Sequence, residues 1–277
     1  MIGAFCKRMN FPLKATEDIV NAYEKITKQP DCTALLLSAA KEFVEGESED
    51  YRSALNELSQ KLNISIYTVN LVLVIYSMEN YTRQMYKEKG YNENLYNDTM
   101  LDTVYKLDEC KRLYGVWGVF TMEWYRLFCK CRVFTLGRLQ YEPIEAPTDY
   151  KDIVKKGDRI INCHIPGGGK LLDDDVTKSL QLAKKFFNVE PLILTCHSWL
   201  LYPPYEEMYG SNMRKFYERW DVVRLDESDE DFWRIFYKEK LEDLCEDDIK
   251  TSLQRKMLDF IKNGGKMGAG LAYMILY

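Results

Sequence analysis

Between Arg159 and Trp199 the sequence carries an apolar run, an amphipathic stretch and a second apolar run, and that order leaves few folds open. Arg159 to Ile165 reads as a buried strand, and Pro191 to Leu201 as another. Asp173 to Phe187 repeats apolar residues at Val176, Leu180, Ala183 and Phe187, the spacing of one helix face. A strand, a helix and a strand in sequence form a parallel pair joined by a right-handed crossover. The only two histidines, His164 and His197, each follow a cysteine and each fall at the exit of one of these strands. In open α/β sheets, ligands bind at such carboxyl ends.

The rest of the chain is read around this unit. Its 277 residues suffice for one large domain or two modest ones, and 46% hydrophobic content supports a core without disulfides or metal. A net charge of -5 gives no basic stripe for nucleic acid. No apolar run reaches the length of a membrane span, and Met1 to Pro12 has no apolar run after Lys7 and Arg8, so a secretory leader is not expected. Eight scattered cysteines then read as reduced thiols in a cytoplasmic protein.

The first half predicts helices over Ala15–Lys28, Ala34–Glu45, Asp50–Leu62, Ser65–Lys87 and Asn97–Arg112. Pro30 is read as closing the first of these. Val116–Lys130 is apolar on most faces and reads as a buried helix joining two domains. From Arg132 the pattern changes: Val133–Pro143 alternates as a strand, with further helices at Met208–Arg219, Asp231–Lys238 and Asp248–Lys262 and strands at Trp220–Leu225 and Ala269–Tyr277. The fold class is α/β, α+β overall: a helical N-terminal domain (1–130) and a mixed-sheet domain with flanking helices (131–277).

Candidate chemistry clusters in the second half. Gly167-Gly168-Gly169-Lys170 before a helix is a ready anion site, since backbone N–H groups and the helix dipole favour negative charge there. Asp173-Asp174-Asp175 on the first turn opposes that use. The Cys-His pairs do not make a zinc site, because neighbouring strand residues point to opposite faces and each pair offers one ligand. Arg138 and Gln140, two apart on a strand, are candidates for binding substrate polar groups, and Ser198 is another. Cys196 is either an activated nucleophile or a small core residue. Ser211-Asn212 reads as a helix N-cap.

Several segments together resemble a known family: Leu136-Gly137-Arg138-Leu139-Gln140-Tyr141-Glu142, His164-Ile165-Pro166-Gly167-Gly168, Cys196-His197-Ser198-Trp199-Leu200-Leu201, Gly210-Ser211-Asn212-Met213 and Leu253-Gln254-Arg255-Lys256-Met257-Leu258. The resemblance is to bacterial acyltransferases that join a helical N-acyltransferase N-terminal domain to a GNAT-like C-terminal domain. It implies that two parallel strands, Arg159–Ile165 and Leu192–Trp199, splay at their ends to admit an acyl-CoA thioester. His164, Ile165, Gly167, Gly168, Gly169 and Lys170 would then hold the cofactor arm.

Acyl-CoA would be a cosubstrate, with no permanently bound cofactor and an amine as acceptor. An amine attacking a thioester sheds a proton, which makes His197 the first candidate base and His164 the second. Tyr202 or Tyr205 would protonate the departing thiolate. The alternative is a non-catalytic ligand- or protein-binding module on a degenerate GNAT scaffold. A hydrolase would need a nucleophile paired with histidine, and Ser198 faces away from His197.

Overall fold

A computed structural model describes every residue from Met1 to Tyr277. The chain divides into two compact units, Met1–Phe134 and Thr135–Tyr277.

The first unit is helical: α1 (Ile2–Arg8), α2 (Leu13–Thr27), α3 (Pro30–Glu45), α4 (Tyr51–Leu62), α5 (Ile66–Ser77), α6 (Arg83–Glu88), α7 (Glu93–Met100), α8 (Asp102–Tyr114) and α9 (Met122–Cys129). Pro30 opens α3 instead of closing α2, because its missing N–H costs nothing in the first turn of a helix. The central helix is α5, buried without a break from Thr68 to Ile75. It runs into α6 through a π-helical turn, Met78–Thr82, so the long helix expected over 65–87 carries one wider turn. The helix expected over 97–112 is two, meeting at Leu101.

The helix expected over Val116–Lys130 is confined to α9, which packs against α3 and α5 within this unit. Residues before it lie across the start of α5. The Val119 N–H donates to the Tyr67 carbonyl at 3.0 Å, and the Thr68 hydroxyl donates to the Trp117 carbonyl at 2.8 Å. A β-carbon at Gly118 would sit 2.3 Å from the Tyr67 carbonyl carbon, so only glycine permits this approach. Those bonds replace the helical ones that the apolar composition suggested.

From the unit boundary onward the chain forms a six-stranded mixed sheet, β1 (Phe134–Leu136), β2 (Leu139–Glu145), β3 (Arg159–His164), β4 (Leu192–Ser198), β5 (Asp221–Glu227) and β6 (Gly268–Leu276), in the order β1-β2-β3-β4-β6-β5. The single strand expected over 133–143 is a hairpin. Gly137, at φ +74°, forms a two-residue turn with Arg138 that the alternating pattern conceals. Only β3 and β4 run parallel; β2/β3, β4/β6 and β5/β6 are antiparallel. Helix α10 (Asp173–Phe187) supplies the crossover with the bounds the apolar spacing indicated.

Ser179 ties α10 to the hairpin. Its hydroxyl donates to the Leu136 carbonyl, accepts from the Leu139 N–H at 3.1 Å and meets the Tyr141 hydroxyl at 3.0 Å. Helices α11 (Ser211–Tyr217), α12 (Phe232–Phe236) and α13 (Ser252–Lys262) complete the unit. Ser211 is the first residue of α11 and Gly210 its N-cap, which corrects the capping role expected of Ser211-Asn212.

Candidate functional site

The parallel partnership of β3 and β4 is brief. Ile161 faces Leu194 and Asn162 faces Thr195; beyond that, each strand pairs only with its outer neighbour. Cys163 and His164 pair with Tyr141 and Gln140 on β2, while Cys196, His197 and Ser198 pair with Ala272, Leu271 and Gly270 on β6. Pairing of the two strands therefore stops after Asn162 and Thr195, and the carboxyl ends beyond them, unpaired with each other, flank a break in the sheet that we call the notch.

Side chains opposite one another on adjacent strands share a face, and faces alternate along each strand. The register puts Gln140, Glu142, Asn162, His164, Thr195 and His197 on one face and Tyr141, Cys163, Leu194 and Cys196 on the other. Both histidines thus flank the notch on the same side. Burial pushes the Cys196 thiol up to about 12, and raises that of Cys163, with the neighbouring Cys196 adding to it. At neutral pH both are inert thiols in the core, which removes the nucleophile role considered for Cys196.

The two histidines meet carboxylates. His164 Nε2 lies 3.2 Å from Glu142 Oε2, with side chains 25% and 8% exposed, and 3.2 Å from Asn162 Nδ2. His197 Nε2 lies 3.0 Å from Asp226 Oδ2, with side chains 48% and 39% exposed. Asp226 stands on β5, two strands from His197. The strand between places only the methyl of Ala269 opposite Asp226, which leaves room for the pair to meet. Arg224 grips the same carboxylate through Nε at 3.1 Å and Nη2 at 2.9 Å. This guanidinium holds the Asp226 carboxyl below the ordinary aspartate range, with His197 adding to the effect.

The other candidates take different places. Ser198 points to the opposite face from His197, and its hydroxyl accepts from the Leu200 N–H at 3.2 Å. There β4 ends, three residues short of the strand expected from Pro191 to Leu201, and Trp199–Leu201 forms a 3-10 turn. That turn lies so close to β6 that a β-carbon on Gly270 would be 2.1 Å from the Leu201 carbonyl oxygen. Tyr202 and Tyr205 follow in an apolar cluster with Tyr209, Phe232, Phe236 and Met257. The Tyr205 hydroxyl accepts from the Gly268 N–H at 3.2 Å, and burial pushes its phenol up to about 12. Burial also raises Tyr202, with Glu227 adding and Lys266 opposing.

Gln140 is buried beside His164 and its amide donates to the Thr135 hydroxyl at 3.2 Å. Arg138 is not on the strand with it, as the alternation implied, but in the hairpin turn. Its guanidinium donates to three carbonyls of the loop between β3 and α10: Pro166 at 3.0 Å, Gly169 at 3.0 Å and Lys170 at 3.1 Å. Gly167, Gly168, Gly169 and Lys170 are exposed and Ile165 half-buried. Gly168 and Gly169, at φ +81° and +131°, hold backbone shapes that side chains resist. On the first turn of α10, the Asp173 carboxylate is bound by Lys215 at 3.2 Å and Arg219 at 2.5 Å. Glu142, Asp226 and Arg224 are the residues that sequence reasoning missed. Glu142 was legible in the alternation that also selected Gln140, whereas Asp226 lay one residue beyond the strand expected over Trp220–Leu225.

Residues 2–131 match the family described as the N-acyltransferase N-terminal domain, and residues 133–274 the GNAT-like C-terminal domain. Among solved structures, an acyltransferase in complex with decanoyl-CoA and teicoplanin aligns with all of this chain and 88% of its own at 19% identity, with a TM-score of 0.80. An acyltransferase in complex with CoA and 10C-teicoplanin gives the same coverage, identity and score. An acyltransferase with decanoyl-CoA gives 22% identity and a TM-score of 0.73 over the same coverage. At these identities the likeness is one of fold. Comparison with curated proteins finds no match. No helix is long and apolar enough to cross a membrane.

Proposed function

The chain belongs to the family that couples an N-acyltransferase N-terminal domain to a GNAT-like C-terminal domain, and from that premise we propose that it is an acyl-CoA-dependent N-acyltransferase acting on an amine. The support is the parting of β3 and β4 after Asn162 and Thr195. The thioester enters that notch, with the cosubstrate's pyrophosphate on the Gly167–Lys170 loop at the head of α10. The solved relatives in fold carry CoA or decanoyl-CoA, which agrees with this reading.

His197 serves as the general base. Its ring is the more exposed of the two, and the Asp226 carboxylate engages Nε2 at 3.0 Å, orienting the imidazole. The amine nitrogen attacks the thioester carbonyl, its proton passes to His197, the new C–N bond forms and the C–S bond breaks. Tyr202 or Tyr205, both held as neutral phenols and packed at Gly268 on the other face of the sheet from His197, returns a proton to the CoA thiolate from that side. His164 and Gln140 line the β3 side of the same face.

The three carboxylates Asp173–Asp175 favour a second reading, a ligand-binding module on the same scaffold without turnover. Against it, Lys215 and Arg219 already neutralise Asp173. A mass-spectrometric turnover assay over medium-chain acyl-CoA and a panel of amines separates the two. Acylated amine with release of free CoA is expected. Binding of acyl-CoA without product, or no thermal stabilisation by millimolar acyl-CoA, would remove the transferase reading and leave the module standing.

A further inference from the structure

Arg138 stands outside the reaction, yet it fixes the shape of the loop on which that reaction depends. Its three bonds to the carbonyls of Pro166, Gly169 and Lys170 use both sides of the guanidinium fork. In a trans peptide the C=O and the following N–H point in opposite directions. With those carbonyls drawn toward Arg138, the N–H groups of Gly167, Lys170 and Leu171 are turned away from it; Gly167 and Lys170 are exposed and Leu171 is half-buried. Oriented backbone N–H groups in such a turn form a concavity for anions.

The clamp is itself anchored. Gly137 turns at φ +74° with its α-carbon against α10, where a β-carbon would lie 3.4 Å from Ser179 and Leu182. Ser179 bonds both strands of the hairpin. The β1–β2 turn, the loop and the head of α10 therefore form one block.

We propose that Arg138 is a positioning residue for the cosubstrate: it holds the 166–170 loop in the conformation that receives the pyrophosphate, and does so without touching substrate. This rests on the acyl-CoA reading above and extends it to a residue in the hairpin turn. A lysine cannot replace it, because the three carbonyls are met by three separate guanidinium nitrogens and a lysine has one nitrogen.

The test is isothermal titration of the full-length chain, wild type and Arg138→Lys and Arg138→Ala, with octanoyl-CoA and with S-octanoyl-pantetheine, which lacks the pyrophosphate. Octanoyl-CoA binding is expected to weaken about tenfold in Arg138→Lys and more in Arg138→Ala. S-octanoyl-pantetheine should bind all three proteins alike. Limited proteolysis should show faster cleavage at residues 166–171 in both variants, a local loosening that keeps the test readable if Arg138→Ala folds poorly. Equal weakening toward both ligands, or unchanged affinity for octanoyl-CoA in Arg138→Lys, overturns the positioning role while leaving the acyl-CoA reading standing. Failure of the wild type to bind octanoyl-CoA overturns both.

Discussion

The two strand exits begin from nearly the same letters, Asn162-Cys163-His164 and Thr195-Cys196-His197, and the sheet makes different things of them. At the β3 exit the imidazole is three-quarters covered and faces a carboxylate, Glu142, that is nearly buried. At the β4 exit the imidazole is half-exposed and faces a carboxylate on β5 that an arginine also holds. The cysteines alternate inward in both. What separates the histidines is the neighbour beyond the notch: β3 is flanked by β2, with Gln140 and Glu142 on the shared face, and β4 by β6, whose Ala269 gives open passage to Asp226. Residue type supplies the imidazole, while strand order decides which carboxylate it meets and how far it stays open to solvent.

Substitution at the two histidines breaks the comparison most sharply. His197→Ala should lower kcat by about 10²–10⁴-fold, the usual share of a general base, with the melting temperature unchanged. His164→Ala should retain most of the rate and lose stability. Equal rate losses in steady-state assays would erase the distinction.

The next effect is on stability. Glu142→Ala strips His164 of a mostly buried partner, and the protein should lose about 2 kcal/mol by urea denaturation, within the range for a bond to a charged group. Asp226→Asn, on an exposed pair, should change that value by less than about 0.5 kcal/mol.

Asp226→Asn acts instead on the rate. The Asp226 carboxyl titrates below its ordinary value, so its contribution is complete above the unfolded-state value and is lost only as pH falls through the lower folded one. The carboxylate therefore remains charged through neutral and mildly acidic pH and holds the imidazole in place over that range. Replacing it by an amide should lower kcat by about tenfold, as steady-state assays at neutral pH would show. An unchanged kcat would separate Asp226 from the base.

The smallest effect is expected at the cysteines. Cys196→Ala should leave turnover within about twofold, since its thiol is buried and neutral. In the native protein iodoacetamide should label exposed Cys245 and spare Cys163 and Cys196, as peptide mapping would show.

The strand-helix-strand unit was readable because its signals are local. Val176, Leu180 and Ala183 recur at helical spacing, and the runs around Ile161 and Leu194 are bounded by turns. The features that escaped depend on contacts far along the chain. Nothing near Gly118 announces that Tyr67 takes its place in the hydrogen-bond pattern. The alternation of Val133 to Pro143 runs straight through the Gly137-Arg138 turn, because a hairpin with a two-residue loop leaves the apolar rhythm almost intact. The histidines were found by composition, but the carboxylates beside them were not, since 22 and 29 positions separate the partners and only strand order brings them together.

The most direct measurement is a crystal structure of the protein with a non-hydrolysable acyl-CoA analogue. The thioester carbon is expected between the ends of β3 and β4, on the face of the sheet that carries His197, with the pyrophosphate on the 167–170 loop. An analogue seated elsewhere, with residues 162–165 and 195–198 untouched by it, would contradict the assignment of the notch as the acyl-transfer site.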